Sequence, residues 1–84
     1  MIFAQVTWID TVDSSGWDKP EDVEVMTVEQ WGFIVSEDHL QLKLADTWSD
    51  GEFFGVTAIP KGCIRKIHHV VAVNDPSQLP VPPE

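Results

Sequence analysis

The chain has 84 residues, and its 14 acidic and five basic side chains give it a net charge of −9. That length allows a single small domain, because a chain of this size buries only about 60% of the surface exposed when it is unfolded. The acidic balance argues against direct binding to nucleic acid or to anionic membranes, both of which attract basic surfaces.

The first predicted element is a β-strand over residues 2–9. Apolar residues alternate there, and Val6 and Trp8 share a face with Ile2 and Ala4. A period of two with β-branched and aromatic residues is typical of a half-buried strand.

An acidic loop is predicted over residues 10–22, which are rich in Asp, Ser, Gly and Pro. A single helical turn can begin at Asp18, because Asp suits an N-cap and Glu21 the third helical position. Trp17 is expected either to fold over one end of the domain or to remain exposed as an aromatic contact.

The second predicted strand covers residues 23–36. Its apolar residues change phase twice, which predicts a β-bulge or sharp bend near Gln30-Trp31-Gly32. A strand that bends strongly helps a small sheet to close into a barrel.

The third predicted strand covers residues 39–44, with Leu40, Leu42 and Leu44 pointing inward. A hairpin loop over residues 46–52 contains Asp-Gly, a strong signal for chain reversal. The return strand is predicted to start at Phe53 or Phe54 and to end at Ile59 and Pro60, where proline has no amide hydrogen for a ladder.

A 3₁₀ turn is predicted across Lys61 to Cys63, which would let both Ile64 and Ile67 of the last strand point inward. That strand is predicted to cover Ile64 to Val73. Residues 74–84 hold four of the six prolines and are expected to form a flexible tail. The sequence thus predicts an all-β domain over residues 1–73, a small closed barrel of about five antiparallel strands.

Two sets of landmarks carry a resemblance to known proteins. The segment Ala58-Ile59-Pro60-Lys61-Gly62-Cys63-Ile64 resembles the end of an SH3-like barrel, where a 3₁₀ turn precedes the last strand. Together with Val6-Thr7-Trp8-Ile9-Asp10, Gly16-Trp17 and Trp31-Gly32-Phe33, it is similar to a family of short proteins of tailed bacteriophages and prophages.

This resemblance covers about residues 6–69 and implies an SH3-like fold and a location in the cytoplasm of a bacterial host. It implies no reaction. The chain has no tyrosine, so the tyrosine-rich peptide groove of signalling SH3 domains is not implied.

The sequence gives little support for a catalytic or metal site. Cys63 is the only cysteine, which excludes an internal disulfide and fits a reducing compartment. His68 and His69 are adjacent on the predicted last strand, so their side chains point to opposite faces. The spacing of Cys63, these two histidines and His39 matches no standard pattern of zinc ligands. We therefore expect neither an enzyme nor a protein with a metal or cofactor.

Acidic and aromatic loop residues are the stronger candidates for function, because aromatic side chains ringed by charge are common at protein contacts. They predict a non-catalytic phage protein that blocks or modulates a bacterial host protein with a basic surface, such as a nucleic-acid-binding or defence enzyme. Two alternatives stay open: an oligomeric barrel that sequesters a small ligand such as a nucleotide, and a minor structural component of the virion. The predicted partner-binding residues are Asp10, Asp13, Trp17, Asp18, Glu21, Asp22, Trp48 and Asp50.

Overall fold

The computed structural model describes residues 1–12, 16 and 19–72. Within these ranges the strands are β1 (Ile2–Asp10), β2 (Met26–Glu37), β3 (Gln41–Ser49), β4 (Glu52–Pro60) and β5 (Ile64–Ala72), with 3₁₀ turns at Pro20–Asp22 and Lys61–Cys63. The strands form one antiparallel sheet in the order β4-β3-β2-β1-β5. The predicted all-β fold with a 3₁₀ turn before the last strand is confirmed. No helix in the described ranges has the length and apolar character needed to cross a membrane.

The connection between β4 and β5 shows that the sheet coils on itself. Strand β4 ends at Pro60, beside Gln41 at the start of β3, whereas β5 begins beside Trp8 near the end of β1. These positions lie at opposite ends of the sheet, yet only the turn Lys61–Cys63 joins them. The sheet must therefore curl, as in a small barrel. In the part of the chain described here, no ladder joins β4 to β5, so both remain edge strands.

The core lies inside this coil. Its fully buried side chains come from β1, β3 and β4, and side chains from β2 and β5 pack against them. Burial of one such aliphatic side chain contributes about 1.5–3 kcal/mol. The fully buried members are Val6, Leu42, Leu44 and Ile59, and the partly buried ones are Trp8, Ile34, Ile64 and Ile67.

The prediction that Leu40 points inward is wrong. Leu40 precedes β3 in the turn after β2 and is 68% exposed. Its carbonyl accepts a hydrogen bond from the Lys61 amide at 2.9 Å, so the backbone is held while the side chain faces water.

Both Ile64 and Ile67 reach the core, as predicted, but a bulge in β5 contributes to this. Thr7 pairs with Lys66 while Trp8 pairs with Ile64, which leaves Arg65 as an extra residue. An extra residue shifts the alternation by one, so side chains three positions apart can share a face.

The predicted bulge near Gln30-Trp31-Gly32 is also displaced. Residues 26–33 pair with β1 without interruption, and the irregularity in β2 lies after Ile34, where Ser36 pairs with Lys43. The apolar residues of β2 change phase along the sequence for another reason, which is that both faces of this strand are partly covered. Gln30 lies on the Val6 face and Phe33 on the Phe3 face.

A polar link crosses the inside of the coil. The indole nitrogen of Trp8 donates to Gln30 Oε1 at 3.2 Å, and Gln30 Nε2 donates to Thr57 Oγ1 at 3.2 Å. Thr57 belongs to β4, which is not a neighbour of β2 in the sheet. These polar groups are partly buried, which is tolerated because each finds a partner.

Several element boundaries differ from those predicted. Strand β2 begins at Met26 rather than at residue 23, and β3 continues to Ser49 through the predicted hairpin loop. The reversal itself is confirmed at Asp50 and Gly51, whose φ angles of 51° and 79° match the tight turns that fit the twist of a hairpin. Val73 and the predicted tail 74–84 lie outside the described residues.

The turn between β2 and β3 supplies a pH prediction. Asp38 Oδ1 accepts hydrogen bonds from the amides of Leu40 at 2.8 Å and Gln41 at 2.9 Å, which lower the pKa of this carboxyl from its ordinary 3.8. A depressed pKa means that the stabilisation is present above the ordinary value and is lost as pH falls through the folded value.

We therefore expect the stability difference between wild type and Asp38→Asn to shrink as pH is lowered from neutral to below 3.8. Denaturant unfolding at a series of pH values measures it. Asp22→Asn is the matched control, because this exposed carboxylate accepts no hydrogen bond from the described residues. A difference that is constant across this pH range would contradict the prediction.

Candidate partner-binding surface

The acidic connection between β1 and β2 carries most of the predicted site. Asp10 ends β1, is half-buried and faces Met26 at the start of β2. Its Oδ1 accepts a hydrogen bond from the Thr11 amide at 2.8 Å. The predicted contact residues Asp13, Trp17 and Asp18 lie outside the described residues.

A single 3₁₀ turn over Pro20–Asp22 positions the next two carboxylates. The amide of Asp22 donates to the Lys19 carbonyl at 2.9 Å, and that of Val23 donates to the Pro20 carbonyl at 3.2 Å. The predicted helical turn therefore exists, but Lys19 rather than Asp18 stands at its N-cap position. Proline suits the first position because its fixed φ matches the turn. Glu21 and Asp22 are both exposed.

The second part of the predicted site lies at the β3–β4 hairpin. Trp48, predicted in the hairpin loop over residues 46–52, lies instead within β3, opposite Phe53. The two rings meet edge to face with centroids 4.8 Å apart, and Trp48 is half-buried. The strand extends this far because Trp48 gains a cross-strand aromatic partner. Asp50 occupies the turn itself and is exposed.

An aromatic row that sequence reasoning missed holds Trp48 in place. Its rings follow one another across four strands, with centroids 6.1, 5.5, 5.9 and 4.8 Å apart, within the range of favourable ring contacts. Phe3 and Phe33 face each other in the register of β1 and β2, and both are buried. The sequence did contain a signal for this row, because Phe3 and Phe33 are apolar residues on the second face of β1 and β2. In spatial order the row is Trp31, Phe3, Phe33, Phe53 and Trp48.

The structure places the predicted carboxylates in two groups. Asp10, Glu21 and Asp22 belong to the β1–β2 connection, whereas Asp50 belongs to the hairpin. Among the residues that the structure describes, no hydrogen bond or ion pair joins these groups, and none of the four carboxylates pairs with a cation. An ion pair elsewhere in the described residues joins Lys61 Nζ to Glu37 Oε2 at 2.5 Å.

The cysteine and histidines do not form a cluster. Cys63 is half-buried in the second 3₁₀ turn, while His68 and His69 are exposed opposite Gln5 and Ala4 of β1. Across residues 1–12, 16 and 19–72, no three His, Cys, Asp or Glu side chains are placed to hold a metal ion. No pocket is found among these same residues.

The chain was compared with protein families, curated sequences and solved structures. None of them matches it. The resemblance to short phage proteins, drawn from the landmark residues, thus stays a prediction.

Proposed function

We propose that the protein is a non-catalytic, phage-encoded binding protein that acts in the bacterial host cytoplasm on a host protein with a basic surface. The phage origin and the host follow from the sequence resemblance. The mode of contact follows from the carboxylates of the β1–β2 connection and the hairpin.

One observation carries the proposal: exposed carboxylates that have no cationic partner among the described residues lie on the connection between β1 and β2. Glu21 and Asp22 are exposed, and backbone hydrogen bonds of the 3₁₀ turn fix the main chain that carries them. Carboxylates on a main chain fixed in this way meet lysine or arginine of a partner without a large loss of backbone freedom. Asp50 offers a further exposed carboxylate at the hairpin, beside the anchored Trp48.

The net charge of −9 favours the same kind of partner. A strongly negative protein attracts a basic surface over a distance and increases the rate of encounter. If that surface normally binds nucleic acid, the acidic connection competes with phosphate and blocks access. Inhibition would then arise from occlusion, without any chemical step.

We expect Glu21→Gln/Asp22→Asn to weaken partner binding. Each exposed ion pair is worth about 0.2–1 kcal/mol, so loss of two lowers affinity by roughly two- to thirtyfold. Tagged wild type and variant would be used to capture host proteins from infected bacteria, and the enriched proteins quantified by mass spectrometry. Enrichment of a basic host protein should also fall between about 0.1 M and about 1 M salt, as the Debye length shrinks from about 10 Å to about 3 Å.

The matched control for the single change Glu21→Gln is Glu29→Gln on β2. Each variant removes one exposed glutamate that has no cationic partner among the described residues, and the two change the net charge equally. Glu29→Gln should retain the enrichment that Glu21→Gln lowers. Capture that is equal in these two variants, or that resists high salt, would contradict the proposal.

A further inference from the structure

The aromatic row lies on the face of the sheet that points away from the core. Ile34 packs against the core cluster, and alternation turns its neighbour Phe33 to the opposite face of β2. Phe33 is the central ring of the row, so the row runs along this outer face. Three of its rings, those of Trp31, Phe53 and Trp48, are only half-buried. An aromatic surface therefore remains in contact with solvent on the outside of the sheet.

Strand β4 extends this surface. Val56 and Phe33 pair with the same residue of β3 from its two sides, so they share one face of the sheet, and Val56 is 49% exposed. Phe53 lies on that face too, because its ring contacts that of Phe33. Since side chains alternate, Phe54 points to the opposite face, and the alternation breaks next at Gly55, with φ at 64°. We refer to the aromatic row together with Val56 as the outer aromatic face.

The end of β5 lies beside the outer aromatic face. Val71, next to last in β5, pairs with Phe3, which is a member of the row. The connection between β1 and β2 leaves β1 at Asp10, about 23 Å from Phe3 along the strand at about 3.3 Å per residue. Of the segments that lie outside the described residues, 73–84 is therefore the one that begins next to the row.

The sequence of this segment fits an aromatic surface. It starts after Val73 with Asn-Asp-Pro-Ser, which is typical of a turn, and continues with Gln-Leu-Pro-Val-Pro-Pro over residues 78–83. A stretch so rich in proline favours the extended polyproline II form, which docks on aromatic surfaces with little loss of chain entropy.

The length of the segment matches the row as well. At about 3.1 Å per residue, residues 78–83 span about 19 Å in the polyproline II form. From Phe3 through Phe33 and Phe53 to Trp48, successive ring centroids lie 5.5, 5.9 and 4.8 Å apart. The apolar part of the segment is thus long enough to cover the row from the end of β5 to the hairpin.

We propose that residues 78–83 dock in an extended form across the outer aromatic face of the same chain, from Phe3 towards Trp48. Residues 74–77 provide the turn that reverses the chain after β5. Burial of apolar side chains and proline rings against the aromatic rings supplies the driving force. A short tether gives an effective concentration on the order of millimolar, so a weak contact is sufficient to keep the segment docked.

The first test follows the indole N–H signals of the full chain by nuclear magnetic resonance. Leu79→Asp/Val81→Asp puts charge on the two apolar side chains between the prolines and should release the segment from the rings. The signals of Trp31 and Trp48 should then shift. The signal of Trp8 should stay in place, because its indole nitrogen donates to Gln30 inside the coil.

The matched control is Asn74→Asp/Ser77→Asp, which adds the same charge to the segment at positions where aspartate also suits a turn. It should leave the signals of Trp31 and Trp48 where they are in the wild type. Unchanged signals in the Leu79→Asp/Val81→Asp variant, or equal shifts in both double variants, would overturn the proposal.

A cross-linking experiment tests which face the segment covers. In a Cys63→Ser background, Val56→Cys is combined in turn with one cysteine in the segment, and a disulfide within one chain should form on mild oxidation. Phe54→Cys is the matched control, because it lies two positions away on the same strand and is 48% exposed but points to the opposite face. Cross-linking from position 56 should be at least about tenfold faster, since docking raises the local concentration on one face only. The segment variants are Leu79→Cys, Val81→Cys and Pro83→Cys.

Three outcomes of this experiment would refute docking of the segment on its own chain. They are equal rates from positions 54 and 56, no disulfide between position 56 and any of the three segment positions, and covalent dimers in place of cross-linked monomers. The last outcome would assign the outer aromatic face to a second copy of the chain.

Discussion

Leu44→Ala is expected to lower the free energy of unfolding by about 2–5 kcal/mol, the range for truncating a buried leucine. Leu44 is completely buried and lies in the cluster where β1, β3 and β4 meet. A chain of 84 residues is stable by only about 4–13 kcal/mol in total, so this change removes a large part of its stability. Thermal and denaturant unfolding of the variant measure the loss.

The matched control for this change is Leu40→Ala, because the two leucines look alike in the alternating sequence around β3. Leu40 is 68% exposed, so its truncation should change stability by less than about 0.5 kcal/mol. Similar losses in the two variants would mean that the inward assignment of Leu44 is incorrect.

Gly32→Ala is expected to destabilise the protein by about 1–3 kcal/mol through overpacking. Gly32 is buried in β2, and a Cβ atom added there would lie 2.7 Å from the Ala45 carbonyl oxygen and 3.5 Å from Leu44 Cβ. The carbonyl belongs to the backbone of β3, so it cannot rotate aside as a flexible side chain would. The two strands would have to separate, and chemical denaturation would report the cost.

Gly62→Ala is the companion variant, since nothing lies within 4 Å of a Cβ atom added at this exposed position in the second 3₁₀ turn. There alanine reduces the freedom of the unfolded chain, and we expect no loss of stability or a gain of up to about 1 kcal/mol. If Gly62→Ala is as harmful as Gly32→Ala, close strand packing does not explain the effect at Gly32.

The candidate surface was predictable in composition but not in placement. Acidic loop residues such as Glu21 and Asp22 could be proposed from the sequence, because Pro, Gly and Asp mark turns. The position of Trp48 could not, since its neighbours Asp46, Ser49 and Asp50 also read as a loop. Its contact with Phe53 overrides that local preference and keeps it in the strand.

The same division holds for the fold. Local patterns alone determined that the chain is all-β, where it reverses at Asp50 and Gly51, and that a 3₁₀ turn follows Pro60, because each depends on neighbouring residues. Tertiary structure decided the bulge at Arg65, the exposure of Leu40 and the aromatic row from Trp31 to Trp48. These depend on which strands become neighbours when the sheet coils, and alternation along one strand does not identify the strand that will lie across from it.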